Sequence, residues 1–199
     1  MVKKCLFFFL FISMAVLSKA QVADTALLNK LGDFDVAALN GDANTAVLIG
    51  EQLLVDTTQM QSKARINFFA KLAKAYEGTE QDTKAIIYYE KVVVAEPNYY
   101  VAQRALGYLY NDVSEEIQLK LYLTPEDSPG HTVLFDRYRT AVHKSLPYLE
   151  KAQACDPDDD TLDLIKTLYM NIHDNEGLNS VNSRLPALSK NCVDLLSDK

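Results

Sequence analysis

From residue 22 onward the chain is patterned for helices. Apolar positions recur three and four apart almost throughout, and no sustained alternation marks a strand. The clearest segment runs from Ile66 to Pro97. Phe69, Leu72 and Tyr76 share one face of a first helix, and Ala73 and Ala85 are small where a second helix must come close. Tyr89 lies on that second helix, and Pro97 stops it. Thirty-four residues after Leu72, Ala73 and Tyr76 come Leu106, Gly107 and Tyr110. These three play no part in setting the frame, so their recurrence marks a true repeat.

The second helix of that next repeat comes late, as Ser145, Leu149, Ala152 and Pro157. Pro97 to Pro157 spans 60 residues where 34 are expected, an insertion of 26. Lengthening of both helices accounts for it. Val113, Ile117 and Leu121 carry the first stripe onward, and Leu134, Tyr138, Ala141 and Val142 return against it. The breaker-rich run Thr124 to Gly130 marks the tip. Leu119, Leu121 and Leu123 alternate with Lys120 and Tyr122, which admits a short hairpin as the competing reading, though the alternation is brief. Pro147 falls inside the returning helix and is expected to kink it. Upstream, a first helix within Ala26 to Leu39, a turn at Gly41-Asp42 and a second helix through Ala46, Leu48, Ile49, Leu53 and Leu54 form a degenerate pair. Downstream, Asp160 to Ile172, a turn at His173 to Asn175 and a helix from Glu176 to Leu188 form the last, with a short capping helix expected around Val193 to Leu196. About four helical pairs result.

The first twenty residues stand outside this pattern. Lys3 and Lys4 precede the apolar run Cys5 to Leu17, and Ser18-Lys19-Ala20 supplies small residues for cleavage, so residues 1–20 are predicted to be a cleaved secretory signal with Gln21 first in the mature chain. The run of 13 residues is short for a spanning helix, which needs ~20. No second apolar run is long enough, so no membrane span is expected after cleavage. Residues 21–199 are then one helical repeat domain, with 66–99 its best repeat and 100–157 the repeat that holds the insertion near 113–142. Without residues 1–20 the chain has 17 basic and 27 acidic residues, a net charge of −10. That surface repels phosphate backbones, so nucleic acid is not an expected partner. Two cysteines remain, Cys155 and Cys192, and an exported chain permits a disulfide between them; two buried free thiols are the other reading.

On these offsets the chain resembles the tetratricopeptide repeat (TPR) family over roughly Asp24 to Leu188, most strongly at Ile66 to Tyr110 and Ser145 to Pro157. The run Leu146-Pro147-Tyr148-Leu149-Glu150-Lys151-Ala152 is also similar to that of small exported repeat proteins of bacterial envelopes. The resemblance implies an all-α, right-handed superhelical solenoid of antiparallel pairs whose first helices line a concave groove for a peptide or partner helix. It implies no cofactor and no catalysis. Groove-facing offsets carry over to Asn67, Ala70, Lys74 and Glu77, and to Val101, Arg104, Tyr108 and Asn111. Asn67, Lys74, Arg104, Tyr108 and Asn111 are the candidate partner-binding residues. The family's carboxylate clamp has Lys and Asn where this chain has Ala70 and Lys74, so that clamp does not carry over.

Catalytic and metal templates fit poorly. Asp156, Asp158 and Asp160 have calcium-loop spacing, but Thr161 and Thr167 stand where Gly and the bidentate Glu belong. His131, His143 and His173 are scattered, with no zinc spacing. There is no phosphate-binding glycine loop and no nucleophile elbow, and Cys155 falls at a packing position. The sequence therefore points to an exported, periplasmic or extracellular, non-enzymatic adaptor for a protein or peptide. An accessory subunit or small enzyme on a helical frame, or an envelope assembly factor that uses the inserted arm, is the alternative.

Overall fold

A computed structural model describes residues 25–194 and 196. Eight α-helices lie among the described residues: α1 (25–39), α2 (Ala43–Leu53), α3 (Ser62–Glu77), α4 (Asp82–Ala95), α5 (Tyr100–Tyr122), α6 (Pro129–Cys155), α7 (Asp159–Asn171) and α8 (Asn175–Leu188). They stack as four successive pairs. The three short pairs turn through one residue of left-handed φ each, at Gly41, Glu80 and His173, the conformation that closes a helix C-terminus within a few residues. Side chains then start the next helix. Asp42, Asp158 and Asp174 accept the backbone N–H of Thr45, Thr161 and Gly177 at 3.1, 2.8 and 2.8 Å, each satisfying an orphan donor.

Every packing offset read from the best repeat is interior. Leu72, Ala73, Tyr76, Ala85 and Tyr89 are buried, Phe69 packs half-buried against them, and α4 ends two residues before Pro97. The next pair repeats this with Leu106, Tyr110, Ser145, Leu149 and Ala152. Gly107 is small for a direct reason. A Cβ there would lie 2.7 Å from Leu149 Cγ and 3.0 Å from its backbone nitrogen. The Ser145 hydroxyl donates to the Gly107 carbonyl at 2.7 Å across the same contact. The insertion is helical on both sides: α5 runs unbroken to Tyr122, Ser128 caps α6 with Pro129 in its first turn, and α6 continues through Pro147. No hairpin forms there.

The three junctions between pairs carry the same clamp, a glutamate from one pair held by a tyrosine and a cation from the next. Glu51 of α2 accepts from Tyr76 of α3 at 3.1 Å and Lys84 of α4 at 2.7 Å. Glu90 of α4 accepts from Tyr110 of α5 and lies 3.5 Å from Lys144 of α6. Glu150 of α6 accepts from Tyr169 of α7 at 2.6 Å and Arg184 Nε of α8 at 3.2 Å. In each, the cation also sits over the tyrosine ring, 4.1–5.5 Å from its centroid, a geometry attractive in itself. Burial, and then the bond to the carboxylate, holds all three phenols above their ordinary range.

The C-terminal tail corrects the expected capping helix. Cys155 and Cys192 are bonded, with Cα atoms 5.5 Å apart. Among the described residues beyond Cys192, Val193 forms a parallel bridge: its N–H donates to Asn98 O at 2.8 Å, and Tyr100 N–H donates to Val193 O at 3.1 Å. Lys151 gathers the approach, donating to Leu188 O, Lys190 O and Asn98 Oδ1. Local hydrophobicity at Val193 and Leu196 suits a helix, but the α4–α5 connection offers unpaired backbone groups close by, and that pairing wins.

Candidate partner-binding groove

Between the first two pairs lies a cavity of about 500 Å³. The C-terminal end of α1 supplies Ala38 and Leu39, the start of α2 gives Ala43 and Ala46, and α3 with its C-cap gives Lys71, Lys74, Ala75 and Gly78, with Tyr99 completing the wall. The sequence makes this space locally. Small residues at Ala43, Ala75 and Gly78 keep the walls back, and a Cβ on Gly78 would meet that of Ala43 at 3.1 Å. Leu39 stands at the edge, 80% exposed, a large apolar side chain left in water. The volume falls in the ~300–1,000 Å³ range of concave sites that enclose a ligand.

The five candidate residues fare differently. Lys74 is exposed, lines the cavity and makes no ion pair among the described residues. Its neighbour Lys71 is held by Asp35 at 2.7 Å. Asn67 is half-buried on the same helix, outside the cavity lining. Arg104 is turned to the chain itself: it pairs with Asp156 Oδ2 at 2.9 Å and also donates to the Asp156 carbonyl. Tyr108 shares a hydrogen bond with Thr161 at 2.9 Å, tying α5 to α7. Asn111 is buried and donates to Glu115 on its own helix at 2.7 Å. Arg104 and Tyr108 therefore hold the lengthened pair to its successor, and Asn111 is used up inside α5.

Two of the three aspartates at calcium-loop spacing have structural work: Asp156 pairs with Arg104, and Asp158 caps α7 through Thr161. The bonds from the Thr161 hydroxyl and N–H hold the Asp158 carboxyl below the usual carboxylate range. Sequence reasoning missed Leu39 and Tyr99 as groove walls. Leu39 had a signal, an apolar residue directly before a Gly turn where polar residues are usual. Tyr99 gave none.

No protein-family model matches the chain, and no curated protein matches it. Among solved structures it is similar to a crystal structure of nearly identical TPR-like repeats from Podosopora anserina, assigned as a kinesin light chain, and to that of a point variant of the same protein. Both are 16% identical over 82% of this chain and 94% of that chain, with TM-scores of 0.35 and 0.36. A likeness of that size leaves the fold resting on features of this chain. Its buried repeat offsets and its four successive helix pairs make it an all-α solenoid of TPR-like repeats.

Proposed function

We propose that the protein is an exported, non-enzymatic adaptor that holds a peptide or partner helix against the first two helix pairs. The observation that carries this reading is the cavity beside Lys74. It combines apolar walls, an exposed Leu39 and a cation free of ion pairs among the described residues. A preformed groove on rigid helices saves the ordering cost of binding, Leu39 and Tyr99 supply apolar area, and Lys74 orients an acidic group. Export is supported by the basic-then-apolar start of the sequence and by the Cys155–Cys192 bond, which suits an oxidising compartment. Among the described residues no helix is long and apolar enough to cross a membrane.

The test places a photo-crosslinking side chain at Leu39 and, in a separate protein, at Val94, which is 84% exposed on α4. Crosslinking in the native envelope fraction should join one defined protein at Leu39 and not at Val94, and Lys74→Ala should reduce its yield. Equal products at both sites, or indifference to Lys74→Ala, would remove the groove from the account. Mass spectrometry of the exported protein checks the second half: a chain starting at Gln21 is expected, and an intact Met1 would contradict it.

A further inference from the structure

The lengthened pair overhangs its neighbour. The α3–α4 turn lies beside the middle of α5, where Glu80 and Gln81 share a lining with Asp112, Val113 and Glu116, and α5 runs on past it to the exposed Leu119 and Tyr122. Under this step lies a second cavity of about 510 Å³. Its floor is apolar, made by Ile86 of α4 with Leu109 and Val113 of α5, and Val113 is 42% exposed. Its rim is acidic: Glu80 from the α3–α4 turn, Asp82 from the start of α4, Asp112 and Glu116 from α5.

The charge on that rim is unbalanced from within. Lys84 is the one cation in the lining, and it is already held by Glu51 and the Tyr76 ring in the first junction clamp. None of the four rim carboxylates takes part in the ion pairs formed among the described residues. Glu77 and Glu115 stand close enough to add to the field at Asp112. Burial first, and then those neighbouring carboxylates, raise the Asp112 pKa. Among the described residues no three His, Cys, Asp or Glu side chains are placed to share a metal ion. The carboxylates thus form a spread field around an apolar floor, which suits a chain with distributed cations better than a point charge.

We propose that the step beneath the arm docks a basic amphipathic segment of a partner protein, its apolar side chains seated on Ile86, Leu109 and Val113 and its Lys or Arg side chains on the rim carboxylates. This surface is separate from the groove beside Lys74, and either can fail without the other. The floor is apolar and Asp112 beside it is already partly desolvated, so an occupant that brings both matching groups gains from each.

Fluorescence anisotropy of the purified protein tests it, using a labelled synthetic peptide with Leu on one helical face and Lys on the other, beside its Leu/Glu counterpart. The Lys peptide should bind and the Glu peptide should not, and affinity should fall as salt rises. Asp112→Asn with Glu116→Gln should weaken binding at least about fivefold, as loss of complementary charge does. These changes relieve like-charge repulsion, so the fold should persist, which circular dichroism verifies. Lys74→Ala should leave this binding unchanged. Equal binding of both peptides, no effect of the double variant, or loss on Lys74→Ala alone would each overturn the proposal.

Discussion

The pairs α3/α4 and α5/α6 are built alike for half their length and unlike for the rest. Both bury the same offsets, both place a small residue where the helices cross, and both stop their second helix just before a proline. Beyond Glu116 the second pair runs on past the lining it shares with the preceding pair. Its far end shows Leu119, Tyr122 and Leu123, each more than 60% exposed, on a stripe that no described element covers. The shared half is thus fixed by packing. The projecting half is held mainly by its own two helices, with Phe135, Tyr138 and Ile117 resting on the last pair. Regular offsets make a scaffold, and departure from them makes a surface.

That contrast can be broken at its crossing point. Gly107→Val forces a branched side chain into Leu149 and its backbone, where neither helix can yield, and should cost about 3 kcal/mol. Gly130→Val at the tip has no atom closer than 3.8 Å to displace and should change little. Thermal melting of the two variants decides, and equal effects would mean the helices are not closely crossed at Gly107. Next come the junction clamps, which share chemistry and differ in burial: the side chains of Glu51 and Glu90 are 45% and 41% exposed, and that of Glu150 only 8%. Arg184→Met strands a buried carboxylate and should cost about 2 kcal/mol. Lys84→Met and Lys144→Met should each cost no more than about 0.5 kcal/mol. Denaturant midpoints across the three variants sharpen the comparison, and a flat series would contradict it.

A smaller effect concerns the step beneath the arm. The folded-state pKa of Asp112 lies above its unfolded value, so its ionised form opposes folding at neutral pH. That penalty is present above the folded pKa and disappears as pH falls toward the ordinary value of 3.8. Asp112→Asn should therefore raise the melting temperature slightly at pH 7 and not at pH 3. Asp158 has the opposite sign, its contribution present above 3.8 and lost as pH falls through its lowered pKa. Smallest of all, Leu119→Ser, Tyr122→Ser and Leu123→Ser together should leave the melting temperature nearly unchanged, because their side chains are already in water.

Much of this architecture is legible in the sequence, because a repeat writes its packing at fixed spacing. Leu72, Ala73 and Tyr76 announce Leu106, Gly107 and Tyr110, and the late arrival of Ser145 and Leu149 announces the arm. The clamps leave a fainter trace: Glu150 and Arg184 lie 34 residues apart, one repeat length, but spacing alone does not say that the two side chains meet. Nor does it convey contact across the insertion. Arg104 and Tyr108 meet Asp156 and Thr161, 52 and 53 residues away, so positions that read as groove-facing are used inside the chain. Val193 likewise pairs with Asn98 and Tyr100 by proximity that no local pattern encodes. The acidic step is a consequence of unequal helix lengths, visible only once the two pairs are set side by side.

Hydrogen exchange, read by mass spectrometry on the native protein, tests the division between scaffold and arm most directly. Amides of residues 102–111 and 145–153 should exchange as slowly as those of α3 and α4, while those of 119–133 should exchange faster, by about a hundredfold or more, as expected for helix ends outside the packed core. Slow exchange through 119–133 equal to that of 102–111 would contradict the account. It would mean that the arm is covered, and that the lengthened pair is core along its whole length.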